Sequence, residues 1–229
     1  MCSSDLEFVS AIVHDIRSPL TVVSAMASLA RRRRREDLGP LLDEIQQGAR
    51  RIDSMLTEIA DARRERLEMH PEPVSVAALL EQVVTDQRAV DGDRRYHLQT
   101  QSLDGVVGAW DEGLIRRVLD NVLSNARKFS DPGTDVVVFA SWRPDEIVVR
   151  VTDEGAGIAA EDLPHVLEPF RRGRNAAGTG GSGVGLANVA NIVRLHGGTV
   201  QLDSIEGQGT SVTLRLPASR AHAGERLPA

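Results

Sequence analysis

Cysteine is almost absent from this chain: Cys2 is the only one among 229 residues. That excludes a disulfide framework and a cysteine-based zinc site, so any metal must be held through oxygen or nitrogen. Aromatic residues are scarce, at 3 %, and the core has to rest on Leu, Val, Ile and Ala. No apolar run suits a bilayer span: the longest weakly polar stretch, residues 20–30, falls well short of the ~20 residues required and contains serines. No charged-then-apolar signal segment opens the chain. The expected setting is cytoplasmic, as a free chain or as the cytoplasmic part of a membrane-bound protein. Lysine is reduced to Lys128, and arginine carries the rest of the positive charge. The net charge of -6 argues against nucleic-acid binding as the main task.

What is present begins with two long helices over roughly residues 6–68. In the second, Leu38, Leu42, Ile45, Ala49, Ile52, Leu56 and Ile59 recur at alternating steps of four and three, the a/d seam of a coiled coil. In the first, Val9, Ile12, Ile16, Val23, Met26 and Ala30 form a similar stripe, with Pro19 in the seam between Ile16 and Val23. A proline there removes one helical hydrogen bond and crowds the carbonyl of Asp15. A turn at residues 36–40 folds the helices back antiparallel. One such hairpin leaves apolar surface on both helices, and two copies forming a four-helix bundle would bury it, so a homodimer is expected. The arginine run at residues 31–35 reads as a solvated helix end whose cations complement the C-terminal dipole.

A boundary follows at residues 70–73, where two prolines flank Glu72. Beyond it the pattern predicts a helix over 76–86, strands over 96–101 and 106–109, and a helix over 111–128. A hairpin of 136–142 and 147–152 follows. A glycine-rich loop then leads into a helix over 183–195, which Gly197 and Gly198 terminate. The last pair of strands spans 199–203 and 211–216. Hairpins dominate, which predicts an α + α/β chain: an antiparallel helical hairpin, then an α/β sandwich with a mixed, mainly antiparallel sheet. The expected domains are residues 1–70 and 74–218, with a disordered tail over 219–229.

Four segments carry chemistry. His14 falls on the side of its helix opposite Val9, Ile12 and Ile16. An exposed imidazole is neutral for much of the time near pH 7 and can act as a nucleophile, and Asp15 beside it can take the proton from one ring nitrogen. Asn121 and Asn125 lie four apart on one helix face. Their amide oxygens suit a hard cation such as magnesium, and Lys128, one turn further, can reach a phosphate. Asp153, at a strand end before Gly155 and Gly157, can accept a hydrogen bond from a ligand amino group while the glycines let the backbone approach closely. Residues 178–186 open a helix whose first N–H groups suit phosphate oxygens. No strand precedes these glycines, so they are not a dinucleotide fingerprint, and the lysine-containing phosphate loop is missing too. Taken singly, each segment also fits a plainer role: a surface histidine on a kinked helix, a polar helix face, an ordinary turn, a linker.

In this order the segments resemble the sensor histidine kinase family. HDIRSPL is similar to its phosphoacceptor box and DNVLSNARKFS to its asparagine box. DEGAGI, EPF and GGSGVGLA are similar to its first glycine box, phenylalanine box and second glycine box, and residues 207–210 to the closing glycine-threonine element. The likeness runs from about Phe8 to Pro217. It implies a helical dimerisation and phosphotransfer domain followed by a Bergerat-type ATP-binding domain. By the resemblance, His14 takes a phosphoryl group from ATP with Asp15 as base, and passes it to an aspartate of a response-regulator receiver domain. Asn125 would hold Mg²⁺ with Asn121 beside it, Lys128 would contact phosphate, and Phe129 would pack near the nucleotide. Asp153 would read the adenine amino group, with Gly155 and Gly157 lining the pocket. Phe170 would anchor a lid over about 171–181, and Arg172 at the lid edge would approach the γ-phosphate. Gly183 and Gly185 would cradle phosphates, and Gly181, Leu186 and Thr210 complete the implied site. Ser18 stands where many relatives carry Thr, Asn or Gln to orient water for dephosphorylating the partner, which leaves phosphatase activity open. An upstream sensor domain is expected to be missing from this chain or to sit on another polypeptide. Two other readings share the ATP-binding fold. A serine kinase of the anti-sigma type has no need of the hairpin carrying His14. A catalytically silent nucleotide-binding dimer scaffold has no need of the full set of Asn121, Asn125, Asp153 and glycines.

Overall fold

The computed structural model describes residues 20, 21, 23–25, 27, 42, 45, 69–90, 95–168, 171 and 183–220. The chain divides into two compact units, Met1–Arg66 and Leu67–Ala229. Of the first unit, the described residues are all helical. The rest of the expected hairpin lies outside the described residues, including His14, Asp15, Ser18, Pro19 and the arginine run. Among the described residues, no helix is long and apolar enough to cross a membrane.

The second unit opens with strand β1 (Glu72–Ser75) and helix α1 (Val76–Val90). Ser75 starts this helix by accepting a hydrogen bond on Oγ from Ala78 N at 3.4 Å. Val76, Leu79, Leu80, Val83 and Val84 form its buried stripe at helical spacing. Strands β2 (Tyr96–Gln101) and β3 (Val106–Trp110) lead to helix α2 (Glu112–Phe129). Asp111 caps α2: its Oδ1 accepts from Leu114 N at 3.1 Å. The helix buries Ile115, Val118, Leu119, Val122, Leu123 and Ala126, again one stripe, and ends where Ser130 Oγ donates to Ala126 O.

Strands β4 (Val136–Arg143) and β5 (Glu146–Asp153) form a tight hairpin with Asp145 in the left-handed region, φ 65°. A short 3₁₀ turn at Leu163–His165 precedes helix α3 (Gly185–Leu195), then β6 (Thr199–Ile205), β7 (Gly209–Pro217) and β8 (Ser219–Arg220). Gly197, at φ 74°, ends α3 through Gly197 N to Arg194 O and Gly198 N to Val193 O.

Two sheets result. The larger has the order β2-β4-β5-β7-β6, antiparallel except for the parallel β2–β4 pair; the smaller is β1-β3-β8. The three helices cover one face of the larger sheet. On β5 the period of two sends Ile147, Val149, Val151 and Asp153 inward, while Arg150 and Thr152 lie on the other face, bonded to Thr213 and Ser211 of β7. The fold is therefore the expected mixed, mostly antiparallel α/β sandwich. Trp110 closes the smaller sheet over β7: its ring covers Gly108, where a Cβ would meet the indole at 2.0 Å, and its Nε1 donates to Pro217 O at 2.9 Å.

Three departures from expectation are informative. Residues 72–75 form β1 despite Pro73, because β1 is an edge strand and needs no ladder donor on its outer side. The stretch after Pro217, expected to be disordered, begins with β8, whose Ser219 and Arg220 pair with Val107 and Val106. Arg220 also stacks on the Trp142 ring, 4.5 Å from its centre, which ties down the strand. Helix α3 starts at Gly185 rather than Gly183, since Gly183 takes φ 73°.

Candidate functional site

The inward alternation of β5 delivers Asp153 to the buried face of the sheet at the strand's end, only 8 % exposed. Its Oδ1 accepts from Gly155 N at 2.9 Å and from Thr210 N at 3.3 Å. The carboxylate is thus oriented by backbone donors on both sides, from the turn after β5 and from β7.

The glycines around it are needed for close approach. A Cβ on Gly155 would stand 2.5 Å from Phe129 O, and one on Gly157 (φ 64°) would stand 2.0 Å from Ile205 O. A Cβ on Gly209 (φ 107°) would stand 2.0 Å from Asp153 O. The turn after β5 is therefore pressed between the end of α2 and the β6–β7 hairpin. Ala156 N donates to Phe129 O at 2.9 Å, and Gly207 N donates to Ala156 O at 2.8 Å. Ser204 Oγ accepts from Ile158 N at 2.8 Å, and lies 2.9 Å from Thr210 Oγ1.

Helix α2 lies over the sheet and carries Asn121, Asn125 and Lys128. Asn121 Nδ2 is buried and has no hydrogen-bond partner. Asn125 is half-buried one turn further, and the Lys128 ammonium sits 4.6 Å from the Phe129 ring centre. Phe129 serves the site through its backbone carbonyl, which fixes the turn carrying Gly155 and Ala156. Helix α3 meets α2 at its first residue: a Cβ on Gly185 would stand 3.8 Å from Asn121 Oδ1. Gly183 and Leu186 flank this contact, both half-buried.

Two carboxylates at the margins are shifted. Burial pushes Asp120 up from the ordinary carboxylate range, against the hydrogen bond from Gln87 and the charge of Arg116. Glu168 is held below that range by the hydrogen bond with His165 and by Arg171.

The structure brings together Asn121, Asn125, Lys128, Phe129, Asp153, Gly155, Gly157, Gly183, Gly185, Leu186 and Thr210 around the ends of α2 and β5 and the start of α3. Phe170, Arg172 and Gly181 lie outside the described residues, as does the lid they were expected to form. Ser204 and Gly209 were missed by sequence reasoning, although both lie in or beside the Gly207–Thr210 element that resemblance pointed to.

The donor set fits a nucleotide with a hard cation. Two half-buried asparagines and a lysine line one helix, a buried carboxylate faces inward from the sheet, and glycines keep the backbone open between them. Among the described residues no three His, Cys, Asp or Glu side chains gather to hold a metal.

The chain matches the family model described as histidine kinase-, DNA gyrase B-, and HSP90-like ATPase over residues 110–220. It matches the His Kinase A (phospho-acceptor) domain over residues 4–67. The sensor-like histidine kinase SenX3 of Mycolicibacterium smegmatis is 29 % identical over 96 % of this chain and 60 % of that protein. Full-length ShkA, solved with AMPPNP, superposes with a TM-score of 0.62 at 26 % identity, covering 95 % of this chain and 47 % of ShkA. Histidine kinase ThkA, solved with the response regulator protein TrrA, gives a TM-score of 0.74 over 92 % of this chain and 61 % of ThkA; at 18 % identity that likeness is one of fold. The chain spans 53–60 % of the length of the SenX3 relatives it matches.

Proposed function

The chain belongs to the sensor histidine kinase family, and on that premise we propose that it uses ATP to phosphorylate its own His14 and then passes the phosphoryl group to an aspartate of a response-regulator receiver domain. The observation that carries the nucleotide half of this reading is the buried Asp153 carboxylate, fixed by Gly155 N and Thr210 N beneath a turn that tolerates no Cβ at Gly155.

In this reading Asp153 accepts a hydrogen bond from the adenine amino group, and Gly155 and Gly157 let the ring lie close to the backbone. Asn125, with Asn121 beside it, would hold magnesium through amide oxygens, and Lys128 contributes positive charge. Magnesium held there would supply neutralisation of phosphate charge, which phosphoryl transfer needs more than covalent help. Gly181, Gly183, Gly185 and Leu186 hold the phosphate end, Thr210 keeps Asp153 in place, and Phe170 anchors the lid. Arg172 approaches the γ-phosphate.

A ring nitrogen of His14 attacks the γ-phosphorus, the bond to the β–γ bridging oxygen breaks, and ADP leaves. The imidazole starts neutral, and Asp15 takes up the proton of the other ring nitrogen as the N–P bond forms, so the phosphorylated ring carries no positive charge. The phosphohistidine then loses its phosphoryl group to a carboxylate oxygen of the receiver aspartate. Ser18, four residues after His14 in the sequence, offers a hydroxyl to orient water if the chain also dephosphorylates its partner. The first unit acts as a homodimer, which would bury the seam of Leu38 to Ile59. SenX3, a sensor-like histidine kinase, supports the kinase assignment, and ShkA, solved with AMPPNP, supports nucleotide binding. ThkA's complex supports a receiver partner.

Titration with a fluorescent ATP analogue tests the nucleotide half. Asp153→Asn keeps an oxygen for Gly155 N and Thr210 N but removes a charge-assisted acceptor, worth roughly 1.5–3 kcal/mol. Binding should weaken by about 10- to 100-fold with the fold intact. Wild-type affinity in Asp153→Asn would remove Asp153 from the site.

A further inference from the structure

The register of the larger sheet sets three polar side chains in one row. Asp153 of β5 pairs with Thr210 of β7, and Thr210 pairs with Ser204 of β6. Paired residues of antiparallel strands point to the same face, so the row lies inward with the Asp153 carboxylate. Thr210 N donates to Asp153 Oδ1 at 3.3 Å, which keeps these two residues together. Ser204 follows Val200 and Leu202 on the inner-facing side of β6, where an apolar residue would serve packing as well. Its hydroxyl is instead fully engaged. Ile158 N donates to Ser204 Oγ at 2.8 Å, and Gly209 O and Thr210 Oγ1 each lie 2.9 Å from it.

Proton counting fixes the direction of each bond. A hydroxyl has one proton and two lone pairs. Gly209 O has no proton, so Ser204 donates its own there. The bond between the two hydroxyls then runs the other way, with Thr210 Oγ1 donating to Ser204 Oγ. Thr210 is left with lone pairs alone on the Asp153 side of the row. Two acceptors, the Asp153 carboxylate and the Thr210 hydroxyl oxygen, therefore stand next to each other. Such an edge suits a base that presents an amino group, directly or through a water, and opposes one that presents a carbonyl oxygen. We infer that Ser204 is a positioning residue for base selection: it holds the Thr210 proton, so that the edge beside Asp153 offers acceptors alone and the site takes adenine over a 6-oxopurine. This rests on the nucleotide reading above and adds a residue outside the motifs that suggested it.

The test uses the 229-residue chain as wild type, Ser204→Ala and Ser204→Cys, each with and without Thr210→Val. ATP and ITP displace the fluorescent analogue TNP-ATP in Mg²⁺, and thermal unfolding is followed by tryptophan fluorescence. ITP carries a C6 carbonyl and an N1–H where ATP carries an amino group and a bare N1. Wild type should prefer ATP by more than about 10-fold. Ser204→Ala frees the Thr210 proton to meet the ITP carbonyl, and should narrow that preference by about 3- to 10-fold, the size of one neutral hydrogen bond. Ser204→Cys nearly keeps the side-chain volume but offers only a weak acceptor. It should narrow the preference in the same direction, and it carries the test if Ser204→Ala does not fold. In Thr210→Val neither change should move the preference further, because the hydroxyl proton is gone. An unchanged preference in whichever variant folds overturns the inference. Equal weakening of ATP and ITP, which marks a packing effect, or a shift that persists in Thr210→Val overturns it too. A wild type that binds ATP and ITP alike also overturns it, while nucleotide binding itself stands. If wild type does not bind TNP-ATP at all, the nucleotide reading fails and Ser204 has no such role.

Discussion

Adding one methyl group at Gly155 should damage both the stability of the second unit and its nucleotide site. The new Cβ would lie 2.5 Å from Phe129 O, 2.8 Å from Asp153 Oδ1 and 2.9 Å from Phe129 C, where ordinary contact begins at 3.4 Å. The turn or the helix end must therefore shift by ~0.9 Å, the difference between 3.4 and 2.5 Å. Neither can shift alone, because Phe129 O accepts from Ala156 N at 2.9 Å and Asp153 Oδ1 accepts from Gly155 N at 2.9 Å. Losing a neutral backbone bond costs about 1 kcal/mol and a bond to a carboxylate about 2 kcal/mol. Overpacking of ordered regions costs about 1–3 kcal/mol by itself. Gly155→Ala should thus destabilise the unit by about 2–3 kcal/mol. Both tryptophans, Trp110 and Trp142, belong to the second unit, so urea unfolding followed by tryptophan fluorescence reports on it separately. With a slope of about 1–3 kcal/mol per molar urea, the midpoint should fall by roughly 1–2 M, and ATP-analogue affinity should fall with it under native conditions. Gly133→Ala is the control: nothing lies within 4 Å of its Cβ, and only its φ of 85° is strained. That substitution should cost about 1 kcal/mol and leave nucleotide affinity alone. A Gly155→Ala midpoint no lower than that of Gly133→Ala would refute the close-packed turn.

Other substitutions have definite signs. Asp120 has its carboxyl pushed up by burial, so the folded state binds a proton more readily than the unfolded one; its charge opposes folding at neutral pH, and that penalty fades as pH falls through the raised value. Asp120→Asn keeps an acceptor for Gln87 and should raise the urea midpoint at about pH 7, with the gain shrinking toward about pH 4. His196 joins two helices, with Nδ1 2.8 Å from Ile192 O and Nε2 accepting from Asp111 N at 3.1 Å. His196→Ala strands the Asp111 N–H and removes the bridge, and should cost about 2–3 kcal/mol in the same assay. Gly113→Ala sits in the first turn of α2 with only an ordinary contact at 3.5 Å to Asp111 Oδ1; it should be neutral or stabilise by up to about 1 kcal/mol.

Much of this architecture was legible because single stripes decide it. The α2 stripe from Ile115 to Ala126 and the alternation of β5 could be counted directly, and the latter already sends Asp153 inward. What could not be read depends on long-range partners. β2 skips β3 to run parallel with β4, and β3 leaves for a separate sheet with β1 and β8; no local pattern encodes that exchange. Residues 70–73 read as a boundary because of their two prolines, and only the edge position of β1 shows how Pro73 joins a strand; the two residues of β8 have no pattern of their own. At the site, the motif glycines were recognisable, but their reason was not: Gly157 and Gly209 are squeezed by Ile205 O and Asp153 O, carbonyls brought in from elsewhere in the sequence.

The central claim is tested most directly by incubating wild type and His14→Gln with γ-labelled ATP and Mg²⁺. We expect acid-labile, base-stable label on wild type and none on His14→Gln, with both binding the ATP analogue equally. Equal labelling of the two proteins, or no label on a wild type that binds nucleotide, would contradict phosphorylation of His14 by this chain.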